Sequence, residues 1–258
     1  MTTRTTAPTG APCWADLWTS DVEGSRRFYG ELLGWEAAEP NPDFGGYFMF
    51  MRDGVPVAGA MGDMPDNPAQ DLWKVYLATD DIAATVEAAS AAGAEVVVPA
   101  LPVADLGFQA VLTDPTGAGV GAWQAAAFPG FTTLDEPGAP SWFELFTADF
   151  ATAADFYRSV FRWEMRSVSD TDEFRYSVLQ PEGSAELAGI MDASAFVAPG
   201  ASSWSVYWET ADVDAAVATV RSLGGQVASE PTDTPYGRMA AVADPWGATF
   251  KLRTGPTG

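Results

Sequence analysis

Hydrophobic and polar positions along the chain switch between two periods. Residues 14–19 alternate, with Ala15 and Leu17 on one face and Trp14, Asp16 and Trp18 on the other, as in a strand. Asp21 then suits a helix N-cap. From 22 to 33, Phe28, Leu32 and Leu33 fall at helical spacing, and Gly34 suits a left-handed stop. Short apolar strands are predicted near 46–51 and 55–61. The order then restarts: a strand over 72–79, a cap at Asp80 or Asp81, a helix over 82–92 ended by Gly93, and strands near 95–98, 108–113 and 120–124. Asp114-Pro-Thr-Gly117 joins the last two, with Pro fixing φ and Gly accepting a positive one.

The same text then repeats. Trp14-Ala-Asp-Leu-Trp-Thr-Ser-Asp21 returns as Trp142-Phe-Glu-Leu-Phe-Thr-Ala-Asp149, and Phe28-Tyr29 as Phe156-Tyr157. Trp73-Lys-Val-Tyr76 returns as Trp204-Ser-Val-Tyr207, and Asp114-Pro-Thr-Gly117 as Asp244-Pro-Trp-Gly247, always at an offset of 128 to 131. Helices are therefore predicted over 150–161 and 213–223. The chain reads as an α+β protein of four β-α-β-β-β units. Its expected divisions are a disordered lead-in over 1–12, a first domain over 13–127, a Pro/Gly-rich linker over 128–140 and a second domain over 141–254.

Composition narrows the chemistry. There is no His and one Cys among 258 residues, which excludes His-based triads, imidazole metal ligands and an intrachain disulfide. Cys13 is expected to be a small packing residue. The net charge of −22 is spread over both halves, so the surface repels phosphate backbones and nucleic acid is not expected as a partner. No apolar run is long enough for a membrane span, and the opening residues lack the apolar segment of a signal peptide, so a cytoplasmic protein is expected.

The first strand running into Thr-x-Asp, the helix with Phe28-Tyr29 and Leu33-Gly34-Trp35, and the closing Asp-Pro-x-Gly turn resemble the vicinal oxygen chelate superfamily. That group includes glyoxalase I, bleomycin-resistance proteins and extradiol dioxygenases. The tandem arrangement is similar to actinobacterial-type proteins with two glyoxalase-like domains. The resemblance implies paired units whose mixed sheets curl around a cleft, with helices outside. It also implies a divalent metal, whose usual ligand positions fall on Trp14 and Trp142, Lys74 and Ser205, Gly59 and Gly189, and Gly121 and Lys251. Trp, Gly and Lys cannot build such a site and a lone Ser is a poor ligand, so no metal and no cofactor are expected. Asp16 and Glu144, two residues along the same strand face, lack a third ligand for Mg²⁺ or Ca²⁺.

Strand parity assigns the cleft-facing side chains. In the first half these are Trp14, Asp16, Trp18, Lys74, Tyr76 and Trp123, an aromatic box with one carboxylate and one amine. In the second half they are Trp142, Glu144, Phe146, Ser205, Tyr207, Glu209, Lys251 and Arg253. Such walls suit a planar or cationic organic ligand. They also suit a plainer reading, in which Trp14 and Trp142 plug the former metal sites, Asp16 pairs with Lys74, and a salt-bridge network fills the second cleft. The loop 43–50 serves as an adaptable cleft rim or as a hairpin whose aromatics join the core.

Two functions follow as expectations. The first is metal-independent binding or sequestration of an aromatic or cationic metabolite or antibiotic. The second is a metal-free enzyme (isomerase, cyclase or cofactor-free oxygenase) on a polyketide-like substrate, with Asp16 or Glu144 as acid/base and Lys74 or Lys251 stabilising negative charge. The expected partner is a small molecule. Homodimerisation is compatible with this fold, and the units could pair within one chain or across a dimer.

Overall fold

The computed structural model describes residues 2–64 and 69–255. A two-residue strand β1 (Thr2–Thr3) precedes β2 (Pro12–Trp18), α1 (Val22–Leu33), β3 (Glu36–Ala37), β4 (Phe48–Arg52) and β5 (Val55–Met61). The second unit is β6 (Leu72–Ala78), α2 (Ile82–Ala91), β7 (Glu95–Val103), β8 (Gly107–Thr113) and β9 (Gly119–Ala125). After β10 (Thr133–Leu134) come β11 (Pro140–Thr147), α3 (Phe150–Phe161), β12 (Met165–Asp170), β13 (Arg175–Leu179) and β14 (Ala188–Asp192). The fourth unit is β15 (Ser203–Glu209), α4 (Val213–Ser222), β16 (Gln226–Thr234), β17 (Gly237–Ala243) and β18 (Thr249–Thr254).

Each half forms one eight-stranded mixed sheet, ordered β3-β4-β5-β2-β6-β9-β8-β7 and β12-β13-β14-β11-β15-β18-β17-β16. The central strands β2 and β6 run antiparallel, each flanked by a parallel neighbour, β5 and β9; β11, β15, β14 and β18 repeat the pattern. The four predicted units are present, and they pair within the chain, first with second and third with fourth. All four helices start at an Asp whose carboxylate accepts the N–H three residues on, at Asp21, Asp81, Asp149 and Asp212. β7 runs five residues past the predicted strand, through Pro99 and Pro102. It can do so because it lies at a sheet edge and its ladder to β8 slips around the prolines.

The helices lie on the apolar faces of the sheets, away from the cleft side chains, and these faces meet across the two halves. α1 packs on α4 and α2 on α3. Trp35 and Trp73 place their rings 4.8 and 5.1 Å from that of Trp208. The Tyr29 hydroxyl donates to Asp244 at 3.0 Å and accepts from Trp73 Nε1 at 3.0 Å. Its counterpart, Tyr157, donates to Asp114 at 2.8 Å and accepts from Trp204 Nε1 at 2.8 Å. Each Asp-Pro-x-Gly turn thus fastens one half to a helix of the other.

Two segments correct the sequence-based picture. The stretch read as a disordered lead-in is tied down. Thr2 and Thr3 pair with Leu134 and Thr133, and the Arg4 guanidinium donates to the carbonyls of Pro12 at 2.7 Å and Phe131 at 3.3 Å. A polar run with little apolar surface found its order through backbone partners instead; Met1 lies outside the described residues. The segment over 128–140, read as a linker, is a packed strap. Phe131 is fully buried, and Gly138 N–H donates to Glu209 O at 2.8 Å. Among the described residues no helix is long and apolar enough to cross a membrane.

Candidate functional site

β2 and β11 carry the centre of each cleft. In the first half, Trp14 Nε1 donates to Asp16 Oδ1 at 2.9 Å and to the Tyr47 hydroxyl at 2.9 Å, and that hydroxyl donates to Asp16 Oδ1 at 2.9 Å. The Tyr76 hydroxyl also faces this carboxylate. Burial pushes the Asp16 carboxyl above the usual range, opposed by the hydrogen bonds from Tyr47, Tyr76 and Trp14 and by the charge of Lys74. Burial and the Asp16 charge push both tyrosines well above 10, so they act as neutral hydroxyl donors. Lys74 stands directly across from Asp16, yet among the described residues it closes no ion pair. Its ammonium lies 5.4 Å from the Trp18 ring centre.

The second half repeats this set. Trp142 Nε1 donates to the Tyr176 hydroxyl at 3.1 Å, which in turn faces Glu144. Tyr207 donates to Glu144, and Lys251 Nζ donates to Tyr207 at 2.7 Å and to Glu144 Oε2 at 3.4 Å. Burial lowers the Lys251 pKa, while Glu144 raises it. Glu209 and Arg253 form a second, looser pair at 3.9 Å. The expected salt-bridge network therefore exists.

Of the cleft positions expected from parity, Trp14, Asp16, Trp18, Lys74 and Tyr76 meet in the first set, with Trp123 at its margin, and Trp142, Glu144, Tyr207, Glu209, Lys251 and Arg253 lie in the second. Tyr47 and Tyr176 were missed. Their spacing of 129 lies within the repeat offset, so the signal was present in the sequence. The loop sends Tyr47 into the cleft, while Phe48 and Phe50 join the core as the hairpin reading expects. Cys13 is a buried packing residue. Its thiol donates to Tyr76 O at 3.4 Å, and burial pushes its pKa up to about 12.

The clefts differ at their margins. In the first, the strap closes over one end: Phe128 meets Trp14 edge-on at 4.8 Å, Phe131 lies 5.0 Å from it, and Trp123 Nε1 donates to Phe128 O at 2.9 Å. In the second, no aromatic ring lies against Trp142 among the described residues, and Trp142 is half-buried. The second half also carries three exposed rings. Phe174 (41% exposed) stacks on Tyr176 at 5.6 Å and 12°, Phe196 (67%) lies 6.4 Å from Phe146, and Tyr236 is 53% exposed. Two shallow grooves of about 260 and 450 Å³ lie at equivalent sheet ends, lined by Ala78, Thr79 and Asp80 in one half and by Ala211, Asp212 and Val213 in the other.

The residues present do not fit the metal that the resemblance implies. Each cleft centre offers one carboxylate, and among the described residues no three His, Cys, Asp or Glu side chains converge. The glycines at former ligand positions are covered: a Cβ on Gly59 would lie 1.9 Å from the Tyr47 hydroxyl, and one on Gly189 2.0 Å from that of Tyr176. No ligand could grow from either position without displacing a tyrosine.

Comparison with known proteins gives the family and the fold. Residues 139–252 match the model of the Glyoxalase/Bleomycin resistance protein/Dioxygenase superfamily, and residues 14–120 match a Glyoxalase-like domain. CFP32 of Mycobacterium tuberculosis, whose name assigns it provisionally as a glyoxylase, is 38% identical, with 94% of each chain covered. Anthracycline biosynthesis protein DnrV of Streptomyces peucetius is 35% identical over 94% of this chain and 92% of its own. Among solved structures, the Mn(II)-bound glyoxalase of Novosphingobium aromaticivorans superposes with a TM-score of 0.65 at 15% identity, covering 95% of this chain and 82% of that one. At that identity the likeness concerns the fold.

Proposed function

Starting from the superfamily to which this chain belongs, Glyoxalase/Bleomycin resistance protein/Dioxygenase, we propose that it binds a planar aromatic small molecule without a metal, in the cleft of its second half. The observation that carries this reading is the contrast between the clefts. The first is closed at Trp14 and Trp123 by the chain's own rings. The second leaves Trp142 half-buried, with exposed Phe174 stacked on Tyr176 and exposed Phe196 beside Phe146. Flat rings beside a floor of fixed polar groups suit a flat ligand that carries polar substituents. The relative named for anthracycline biosynthesis is consistent with a polycyclic, polyketide-like ligand.

Replacing Phe196 or Phe174 with Ala should weaken binding of an anthraquinone probe about fivefold each, as expected for one lost aromatic contact. Trp18→Ala in the first cleft should leave affinity within about twofold. Calorimetric titration measures both. The opposite ranking would move the site to the first half.

The chain from Lys251 through Tyr207 to Glu144 favours a second reading, metal-free proton transfer on such a ligand. The mass of the ligand recovered after prolonged incubation separates the two. An unchanged mass and isomer pattern supports binding or sequestration, and a rearranged product supports catalysis.

A further inference from the structure

Duplication gives this protein an internal comparison. Lys74 on β6 stands opposite Asp16, and its counterpart on β15, opposite Glu144, is Ser205. Gly121 on β9 stands opposite Tyr76, and its counterpart on β18, opposite Tyr207, is Lys251. The lysine has changed strands between the halves, but its charge has kept its place. Lys74 Nζ lies over the Trp18 ring at 5.4 Å and Lys251 Nζ over the Phe146 ring at 4.0 Å, and Trp18 and Phe146 are equivalent positions in the repeat. The first half has no room for a side chain at Gly121, where a Cβ would lie 2.1 Å from the Tyr76 ring, and it carries its ammonium on β6 instead. Each half therefore holds one ammonium, one carboxylate, two tyrosyl hydroxyls and one indole N–H at its cleft centre.

An ammonium has three donors, and in the second cleft Tyr207 and Glu144 take two of them. The Lys251 side chain is 24% exposed, so the remaining donor is open to a ligand. Glu144 retains lone pairs for a hydroxyl donor. Because Lys251 and Glu144 balance each other, the ligand needs no net charge. What the set matches is an acceptor oxygen beside a hydroxyl.

We propose that the Lys251 ammonium, rather than a metal cation, holds a ligand oxygen, with Glu144 accepting the adjacent hydroxyl. The cleft then selects planar aromatic ketones that carry a hydroxyl next to the carbonyl. This inference rests on the binding reading above and names its ligand class.

The test compares 1-hydroxyanthraquinone with 1-methoxyanthraquinone by calorimetric titration. The wild-type protein should bind the hydroxy probe about tenfold more tightly, the scale of one charge-assisted hydrogen bond. K251M should cut that preference to about twofold or less, with the methoxy probe still bound. The double variant K251G/S205K, which copies the arrangement of the first half, should restore most of it while circular dichroism confirms the fold. A preference that survives in K251M, or that K251G/S205K does not recover, overturns the role of the ammonium and leaves the binding reading intact. Failure of both probes to bind the wild type overturns the two together.

Discussion

Above pH 10 the protein should lose stability steeply and unfold in one step, with tyrosinate appearing only as the fold is lost. Four tyrosines (Tyr29, Tyr76, Tyr157 and Tyr207) are buried and two (Tyr47 and Tyr176) half-buried, and desolvation leads the causes that raise all six above the ordinary value of 10. A raised folded pKa means that the folded state keeps protons the unfolded chain releases. The stability this confers is fully present below pH 10 and is lost as pH rises above it. Each tyrosine contributes a slope of roughly 1.4 kcal/mol per pH unit, so six give at most about 8 kcal/mol per unit. Cys13, raised from 9.0 to about 12, acts in the same direction from a lower pH. Lys74 and Lys251, whose values burial lowers, act in the opposite direction, but they are two groups against seven. Far-ultraviolet dichroism and tyrosinate absorbance should change together. Tyrosines that titrate near pH 10 with the dichroism intact would contradict the buried networks.

Asp244→Ala should destabilise the protein by about 3–5 kcal/mol, read from the denaturant midpoint. The carboxylate of Asp244 accepts the N–H groups of Trp246, Gly247 and Ala248 at 2.9–3.0 Å and the Tyr29 hydroxyl from the other half. Removing it strands four donors, two of them on fully buried residues, and opens a seam between the halves. Asp114→Ala should cost a similar amount through Thr116, Ala118 and Tyr157. Tyr29→Phe keeps the turn closed and removes one hydroxyl, so its cost should be about 1–2 kcal/mol. A loss below about 1 kcal/mol for either Asp variant would show that the turns do not fasten the halves.

Much of the fold was legible because it is written twice. The offset between the halves fixed the four units, and strand parity fixed the faces of β2, β6, β11 and β15. The same offset held Tyr47 and Tyr176, but a tyrosine on a loop flanked by Phe and Met carries no periodicity of its own. The role of the Asp-Pro-x-Gly carboxylates was only half legible. A turn is a local matter and can be read from four residues. Their bonds to Tyr29 and Tyr157 span 215 and 43 residues and depend on how the two apolar faces meet. The closing of the first cleft by Phe128 and Phe131 was hidden for a similar reason. Prolines and glycines mark a connection, and they do not say which rings it will pin. Lys74 and Lys251 each stood out alone. Their equivalence appears only when both sheets are superposed in register.

We propose above that one cleft, in the second half, binds a flat aromatic molecule without a metal. Calorimetric titration of 1-hydroxyanthraquinone into chelator-treated protein, repeated with added Mn²⁺, tests it most directly. The predicted result is one probe per chain, with the same affinity in both conditions. Binding that appears only with stoichiometric metal, two probes per chain, or no binding in either condition would contradict it.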